Sequence, residues 1–240
     1  DKFFNFLQRK AKSHHLKIIT FGTHKDSDVR CLKIIKKRNT TKIFVVINSE
    51  VLTLEVRDLN IYNILASIAI IQGLKVDCMK IKSKFKKLDH TEGRGKLHII
   101  KRFNKQFKLI DESYNANPLS MESAINNLNK FSRKKIKRKI VILGDMLELG
   151  KKGKAFHINL SKVINISDID KVYVYGKLMK NTFINLSNKK KGKMFENLKT
   201  AYRNLNNIIH NKDLLMIKGS NATGLNTFAK NIKRSSSSAI

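Results

Sequence analysis

Tryptophan is missing from these 240 residues, proline occurs once, cysteine twice, and the 18 acidic residues face 50 lysines and arginines. Each scarcity excludes something. Cys31 and Cys78 lie far apart in the chain and fall in no C-x-x-C or metal-ligand spacing. A disulfide scaffold and a zinc module are therefore excluded, and reduced, buried or half-buried thiols of a cytoplasmic protein are expected. The longest mainly apolar run, residues 61–71, is too short to cross a bilayer and lies in an amphipathic helical pattern, so no membrane span is expected. Aromatic residues make up only 8% of the chain, but 41% hydrophobic content with clear periodicity excludes general disorder.

The shortage of acids leaves a formal charge of +32. A charge of that size makes non-specific association with polyanions strongly salt-dependent. The lysines nevertheless occur in every segment, with local clusters at 84–87, 133–139 and 189–193, and they accompany abundant asparagine and isoleucine, the pattern of A/T-rich coding. No aromatic-interleaved basic motif, zinc knuckle or helix-turn-helix element is present. Most lysines are accordingly read as solvated charge, and no specific nucleic-acid partner is expected. A non-catalytic basic nucleic-acid-binding domain is the alternative.

The single proline marks the most informative stretch, 109–129, in which an apolar strand runs through a polar turn into a helix. Asn117 can cap the helix and Pro118, which has no N–H, suits its first turn. Met121, Ala124, Ile125, Leu128 and Phe131 then recur at three- and four-residue spacing, giving one apolar face. In an open α/β sheet the loop after such a strand holds ligands, which places residues 111–117 where chemistry is done.

Along the chain, the pattern predicts a helix over 2–11 with Phe3, Phe6 and Leu7 apolar, and a strand over 17–21. A hairpin is predicted from 42–47 and 51–56, and helices over 60–73 and 77–87, the latter capped by Asp77. The polar, glycine-bearing stretch 89–95 predicts a hinge and domain boundary. Beyond it, strands over 97–103, 107–110, 140–143, 172–175 and 214–217 alternate with helices over 154–166, 177–186, 196–209 and 223–232, which predicts a doubly wound, mainly parallel sheet.

Asp111-Glu112-Ser113-Tyr114-Asn115-Ala116-Asn117-Pro118 resembles the D-D-S-Y-N-A-N-P turn of the Mur ligase family in its dipeptide-adding branch. Residues 141–150, VILGDMLELG, are similar to that branch's V-x-L-G-D-M-x-E-L-G, and His157 falls where the family carries a histidine on the next helix. Lys218-Gly219-Ser220 resembles the K-G-S loop after the last core strand, and Gly93-Arg94 the G-R pair that opens the C-terminal domain. These matches run in family order. Siblings that add other residues, and folylpolyglutamate synthases, tend to carry histidine in a D-x-A-H-x-P version of the turn, where this chain has Asn115. Residues 57–63 align with the G-x-H-N-x-x-N helix start of the central domain, keeping Asn60 and Asn63 but with Arg57 for glycine and Leu59 for histidine. The K-G-S-R loop ends here in Asn221.

The resemblance implies an α/β fold in which the remainder of a Mur ligase central, ATPase domain (1–92) precedes a doubly wound, mainly parallel Rossmann-like C-terminal domain (93–234), with a disordered tail (235–240). It implies ATP-dependent joining of D-alanyl-D-alanine to UDP-N-acetylmuramoyl-tripeptide through an acyl phosphate, in peptidoglycan precursor synthesis, with Mg2+, by a monomer. Another Mur or folylpolyglutamate-type ligase is the near alternative. A Mur ligase needs a P-loop, and no G-x-x-G-K-[ST] string occurs here. The chain is therefore read as a C-terminal fragment lacking the P-loop and the family's carbamylated lysine, inactive on its own, with no catalytic residue and no metal ligand assigned. By resemblance, Asn60, Asn63, Arg94 and Asp111 contact the nucleotide, while Tyr114, Asn115, Asn117, Lys218 and Ser220 face the substrate. Asn117 reads equally as a helix cap and Arg94 also as a hinge ion pair. Asp145 and Glu148 read as general acid or metal partners, Glu148 equally as a dipole-complementing carboxylate near a helix start, and His157 as a packed or surface histidine or as catalytic.

Overall fold

The computed structural model describes residues 2–37, 40–56, 60–88 and 91–234. Arg57, Leu59, the first two residues of the expected hinge and the tail 235–240 lie outside them. The chain divides into two compact units, Asp1–His90 and Thr91–Ile240.

In the first unit, helix α1 (Phe4–Ser13) precedes a sheet of four strands in the order β1 (Phe21–Gly22), β2 (Val29–Lys36), β3 (Thr41–Ile47), β4 (Glu50–Val56). β1 and β2 are parallel and the others antiparallel. The β3–β4 hairpin turns on Asn48 and Ser49, both at positive φ, the geometry whose twist matches paired strands. Ile43, Val45, Leu52 and Leu54 alternate inward and meet Ile64, Leu65 and Ile68 of α2 (Ile61–Gly73) and Phe85 of α3 (Cys78–Lys87). Asn60 and Asp77 cap these helices through their side chains. Helix α1 buries none of its residues, and Phe3, Phe6 and Leu7 are exposed. The strand expected over 17–21 reduces to Phe21–Gly22, and β2 is an addition to the expected set. Both cysteines are free thiols, Cys31 buried and Cys78 half-buried.

The second unit is a six-stranded sheet in the order β5 (Lys96–Arg102), β6 (Lys105–Glu112), β10 (Leu214–Lys218), β7 (Lys139–Gly144), β8 (Lys171–Tyr175), β9 (Lys191–Phe195). Only β5 runs antiparallel. Helices α4 (Pro118–Asn129), α5 (Gly153–Ile166) and α6 (Met179–Ile184) cover one face, packing Met121, Ile125, Leu160 and Ile164 on Val141, Val172 and Met216. Helices α7 (Leu198–Ile208) and α8 (Leu225–Arg234) cover the other, packing Leu205, Phe228 and Ile232 on Leu109, Ile142 and Ile217. With both faces covered, β7 and β10 are buried at every position and are apolar except for Lys139 and Lys218 at their ends. The chain steps from β6 over to β7 and returns to lay β10 between them, so the carboxyl ends of these three strands meet at a topological switch point.

Lys139 and Lys190 are exceptions to the expectation that most lysines are solvated charge. Lys139 is wholly buried, its ammonium 2.7 Å from Asp168, and Lys190 is buried with its ammonium on the carbonyls of Ser167 (2.8 Å) and Ile169 (2.7 Å). Arg133 joins both Asp168 and Asp170, so the opposite, amino-terminal edge of β7 and β8 is tied by an ionic cluster.

Candidate functional site

The switch-point edge is built from three loops that follow β6, β7 and β10. The loop after β6 enters α4 through a reciprocal cap: Ser120 N–H donates to Asn117 Oδ1 (2.9 Å) and Asn117 N–H donates to Ser120 Oγ (3.0 Å). Asn117 is thus a helix cap, with its side chain exposed. Asn115 Oδ1 accepts from Ala116 N–H at 2.8 Å, and Tyr114 is half-exposed.

Lys218 crosses from the end of β10 into this loop. It is 2% exposed, donating to the Asn115 carbonyl at 2.9 Å and to Glu112 Oε2 at 3.3 Å. An ammonium has three donors, and the third has no partner among the described residues. Burial pushes the Lys218 ammonium below its ordinary pKa, with Glu112 opposing the shift.

Asp111 is spoken for within the protein. Ser113 donates to its Oδ1 through both N–H (3.2 Å) and Oγ (2.5 Å), and Lys233 of α8 donates to its Oδ2 at 2.6 Å. Lys233 also pairs with Glu92. Burial alone would lower the Lys233 pKa, but the Asp111 and Glu92 carboxylates more than reverse it and hold the group above its ordinary value. Lys233 went unread in the sequence because its partner is 122 residues away. The stretch 92–95 lies against the same corner. Gly93 O accepts from Tyr114 N–H at 3.1 Å, Gly95 N–H donates to Asp111 O at 2.7 Å, and the Arg94 guanidinium lies 4.5 Å from the centre of the Tyr114 ring. Gly93, at φ +73°, leaves no room for a side chain, since a Cβ there would lie 2.9 Å from Tyr114 Cβ.

Ser220 fastens the three loops together. Its hydroxyl donates to Ala116 O (3.3 Å) and accepts from Leu147 N–H (3.0 Å), while its N–H donates to Asp145 O (3.1 Å). His157 is wholly buried, its Nε2 accepting from Met146 N–H at 3.1 Å and its Nδ1 facing Gly153 O at 2.7 Å. Those partners require the neutral, Nδ1-protonated ring and make His157 a packed clasp. Asp145 accepts from the N–H groups of Leu178 (3.3 Å) and Met179 (2.7 Å) at the start of α6, so its carboxylate is engaged within the protein. Glu148 is exposed at φ +62°. In the first unit, Asn60 Oδ1 accepts from Tyr62 N–H at 2.9 Å, and Asn63 is exposed one turn further on.

Gly176, at φ +120°, faces Asp145, and a Cβ built there would overlap the carboxylate. Gly176→Ala is expected to cost about 2–3 kcal/mol, through strain, overpacking and loss of the two α6 hydrogen bonds. Urea denaturation measures it, and a cost below about 0.5 kcal/mol, the usual surface scatter, would contradict this geometry.

The donors at this edge are cationic or neutral, and Asp111, Glu112 and Asp145 are each engaged by protein groups, which leaves Glu148 as the exposed acid of these three loops. The set fits a nucleotide's phosphates. Among the described residues no group of three or more His, Cys, Asp or Glu side chains could hold a metal ion, and no helix is long and apolar enough to cross a membrane.

Fold and edge together define a doubly wound α/β domain with an anion-tolerant ligand edge. Residues 95–221 match the family model "Mur ligase, glutamate ligase domain". The chain belongs to the Mur ligase family. A curated relative, UDP-N-acetylmuramoyl-tripeptide--D-alanyl-D-alanine ligase of Buchnera aphidicola subsp. Baizongia pistaciae, is 34% identical over 84% of this chain and 42% of its own length. The ligase of the same name from Rickettsia prowazekii is 32% identical over 56% of this chain and 28% of its own. The chain thus spans less than half the length of these relatives. Among solved structures, UDP-N-acetylmuramoylalanyl-D-glutamyl-2,6-diaminopimelate--D-alanyl-D-alanyl ligase of Acinetobacter baumannii aligns at TM-score 0.76 and 21% identity, over 98% of this chain and 49% of that one. A Thermotoga maritima MurF ligase in complex with ADP aligns at TM-score 0.68 and 21% identity, over 97% and 53%.

Proposed function

We propose that this chain forms part of an ATP-dependent carboxylate–amine ligase that adds D-alanyl-D-alanine to UDP-N-acetylmuramoyl-tripeptide in the cytoplasmic synthesis of a peptidoglycan precursor. On this reading the first unit, with its boundary near residue 92, is part of the central domain, and the second unit supplies the amine-substrate side. The observation that carries the reading is convergence: stretches around 111–118, 141–150 and 218–220, each like a motif of the dipeptide-adding branch, are joined at one edge by Ser220 and Lys218. The names of the curated relatives point the same way.

The residues divide the work by charge. A carboxylate must approach a polyanionic nucleotide, so the site has to offer positive charge and position more than reactivity. ATP would supply the phosphoryl group that activates the carboxylate. Arg94, stacked on Tyr114, and the unspent Lys218 donor would face the anionic groups. Asn60 and Asn63 would serve the adenine side, and Asp111 would act by holding Lys233 and Ser113 in place. Tyr114, Asn115 and Asn117 present neutral polar groups suited to a zwitterionic dipeptide, while Ser220 would act by fixing the loops. Magnesium is proposed to arrive with the nucleotide, because Mg2+ commonly keeps waters and takes phosphates plus one or two carboxylates.

The test is to join the chain to the preceding half of a full-length relative and measure ADP release. Turnover should require both the tripeptide precursor and D-alanyl-D-alanine. A folded, ATP-binding protein with no dipeptide-dependent turnover would overturn the reading, and turnover with a single amino acid or glutamate instead would assign it to a sibling branch.

A further inference from the structure

The opposite edge of the second sheet carries a feature that the ligase reading does not use. β5, β6, β10 and β7 are neighbours, and at the amino-terminal edge of the parallel strands their ends are stitched by backbone hydrogen bonds: Lys212 N–H donates to Gln106 O (2.8 Å), Lys137 N–H to Lys212 O (2.9 Å) and Lys108 N–H to Asp213 O (2.9 Å). This stitching sets Lys137 and Lys212 level with Gln106 and, on the antiparallel strand, Lys101, while Lys108 lies two residues inward on β6, opposite Leu214 and Ile99. Four strands at about 4.8 Å spacing make this edge about 14 Å long. No hydrogen bond or ion pair engages these four lysine side chains among the described residues. The acids nearby are already neutralised: Asp213 is wholly buried and held by Arg138 at 2.6 and 3.1 Å, and Asp168 and Asp170 belong to the Arg133 cluster.

The edge is concave. A groove of about 380 Å³ lies between Lys108, Lys135 and Lys212, floored by Ile99, which is 63% exposed, and flanked by Gln106 and Asn211. A second hollow of about 340 Å³ adjoins it beside Lys137 and His210. We propose that this edge is a docking track for single-stranded RNA, with the lysines on its phosphates and unpaired bases entering the grooves beside Ile99 and the two carboxamides. Lysines contributed by all four strands supply the electrostatic track, and a groove of nucleotide size with an apolar floor and amide donors and acceptors suits an unstacked base. A bilayer surface would use the charge but not the hollows.

Anisotropy titration of the chain with a labelled single-stranded RNA of about 12 nucleotides, a length within known site sizes, tests the proposal across a salt series. The variant Lys108→Gln/Lys137→Gln/Lys212→Gln is compared with Lys80→Gln/Lys82→Gln/Lys84→Gln, an equal charge loss on exposed positions of α3. The edge variant should bind about tenfold or more weakly at 0.15 M salt and lose about 2 from the log–log salt slope, since each phosphate contact on a single strand contributes about 0.7. The α3 variant should retain most of the affinity and slope. Equal losses in the two variants would reduce the binding to generic electrostatics and overturn the proposal. Edge-dependent binding to phosphatidylserine vesicles, with RNA binding unchanged by the edge variant, would overturn it in favour of a membrane contact. Circular dichroism melts verify that both variants fold.

Discussion

Asp168→Asn is expected to destabilise the second unit by about 3 kcal/mol, while Lys139→Met should change stability by no more than about 1 kcal/mol. The asymmetry follows from which partner is buried. Lys139 has no exposed side-chain surface, and after Asp168 its remaining partner is the Asn129 carbonyl at 3.5 Å, so removing the carboxylate strands a buried ammonium. Asp168 is 46% exposed and keeps Arg133 and water when the lysine goes, and methionine fills the vacated channel with apolar atoms. Half-exposure also places the Asp168 penalty at the low end of the range for broken buried pairs. The Arg133 guanidinium, helped by Lys139 against the opposing effect of burial, holds the Asp168 carboxyl at about 2, against 3.8 for the free group. The unfolded chain therefore takes up this proton first. The stabilisation is complete above a pH of about 4 and is lost as pH falls through about 2. Urea melts of both variants at neutral pH, repeated down this window, measure the effect, and the Asp168→Asn penalty should shrink toward the acid end. Equal costs for the two substitutions would mean that Lys139 is not buried as described.

The alternation of strands and helices beyond residue 96 was legible because parallel strands buried on both faces must be continuous apolar runs, as at 140–143 and 214–217, and because the helices between them keep one apolar stripe. The elements that escaped lack those signals. β9, KGKMF, is an edge strand, and its lysines made it look like a basic cluster. β2 contains a register shift between Cys31 and Lys33 and exposes its second half, so no clean two-residue alternation survives. Lys139 and Lys190 are invisible as buried cations because their partners are a carboxylate 29 residues away and two carbonyls that only the fold brings near.

At the ligand edge, sequence identified the loops better than the roles within them. Local chemistry was readable: Asn117 caps its helix and Asp77 caps another, each through a hydrogen bond spanning two or three residues. Long-range partnerships were not. Asp111 looks like a free carboxylate at a strand end until Lys233 is brought across from α8, and Ser220 looks like a substrate hydroxyl until Ala116 and Leu147 are found to use both of its capacities. The scattered lysines at 101, 108, 137 and 212 likewise gather on one edge only because four strands run side by side.

On the proposed ligase reading, Lys218→Met in the chain joined to the preceding half of a relative is expected to lower dipeptide-dependent turnover by about 100-fold, the scale of loss that a misplacement of about 1 Å produces. Lys218 holds the 113–117 loop from below, through the Asn115 carbonyl and Glu112, and keeps one donor for a ligand. Methionine has similar length but no donor, so the loop carrying Tyr114 and Asn115 loses its tie to β10. The stability cost should be only about 1–2 kcal/mol, because Glu112 is 28% exposed and rehydrates. A protein that remains folded and yet fails to turn over therefore separates positioning from unfolding. If the lysine mainly positions the dipeptide loop, kcat/KM for D-alanyl-D-alanine should fall while KM for ATP moves little. If its third donor instead meets a phosphate, KM for ATP should rise as well. Lys218→Arg should not rescue either parameter, since the guanidinium exceeds a space that leaves the lysine 2% exposed. Turnover within threefold of the parent in Lys218→Met would remove Lys218 from both roles.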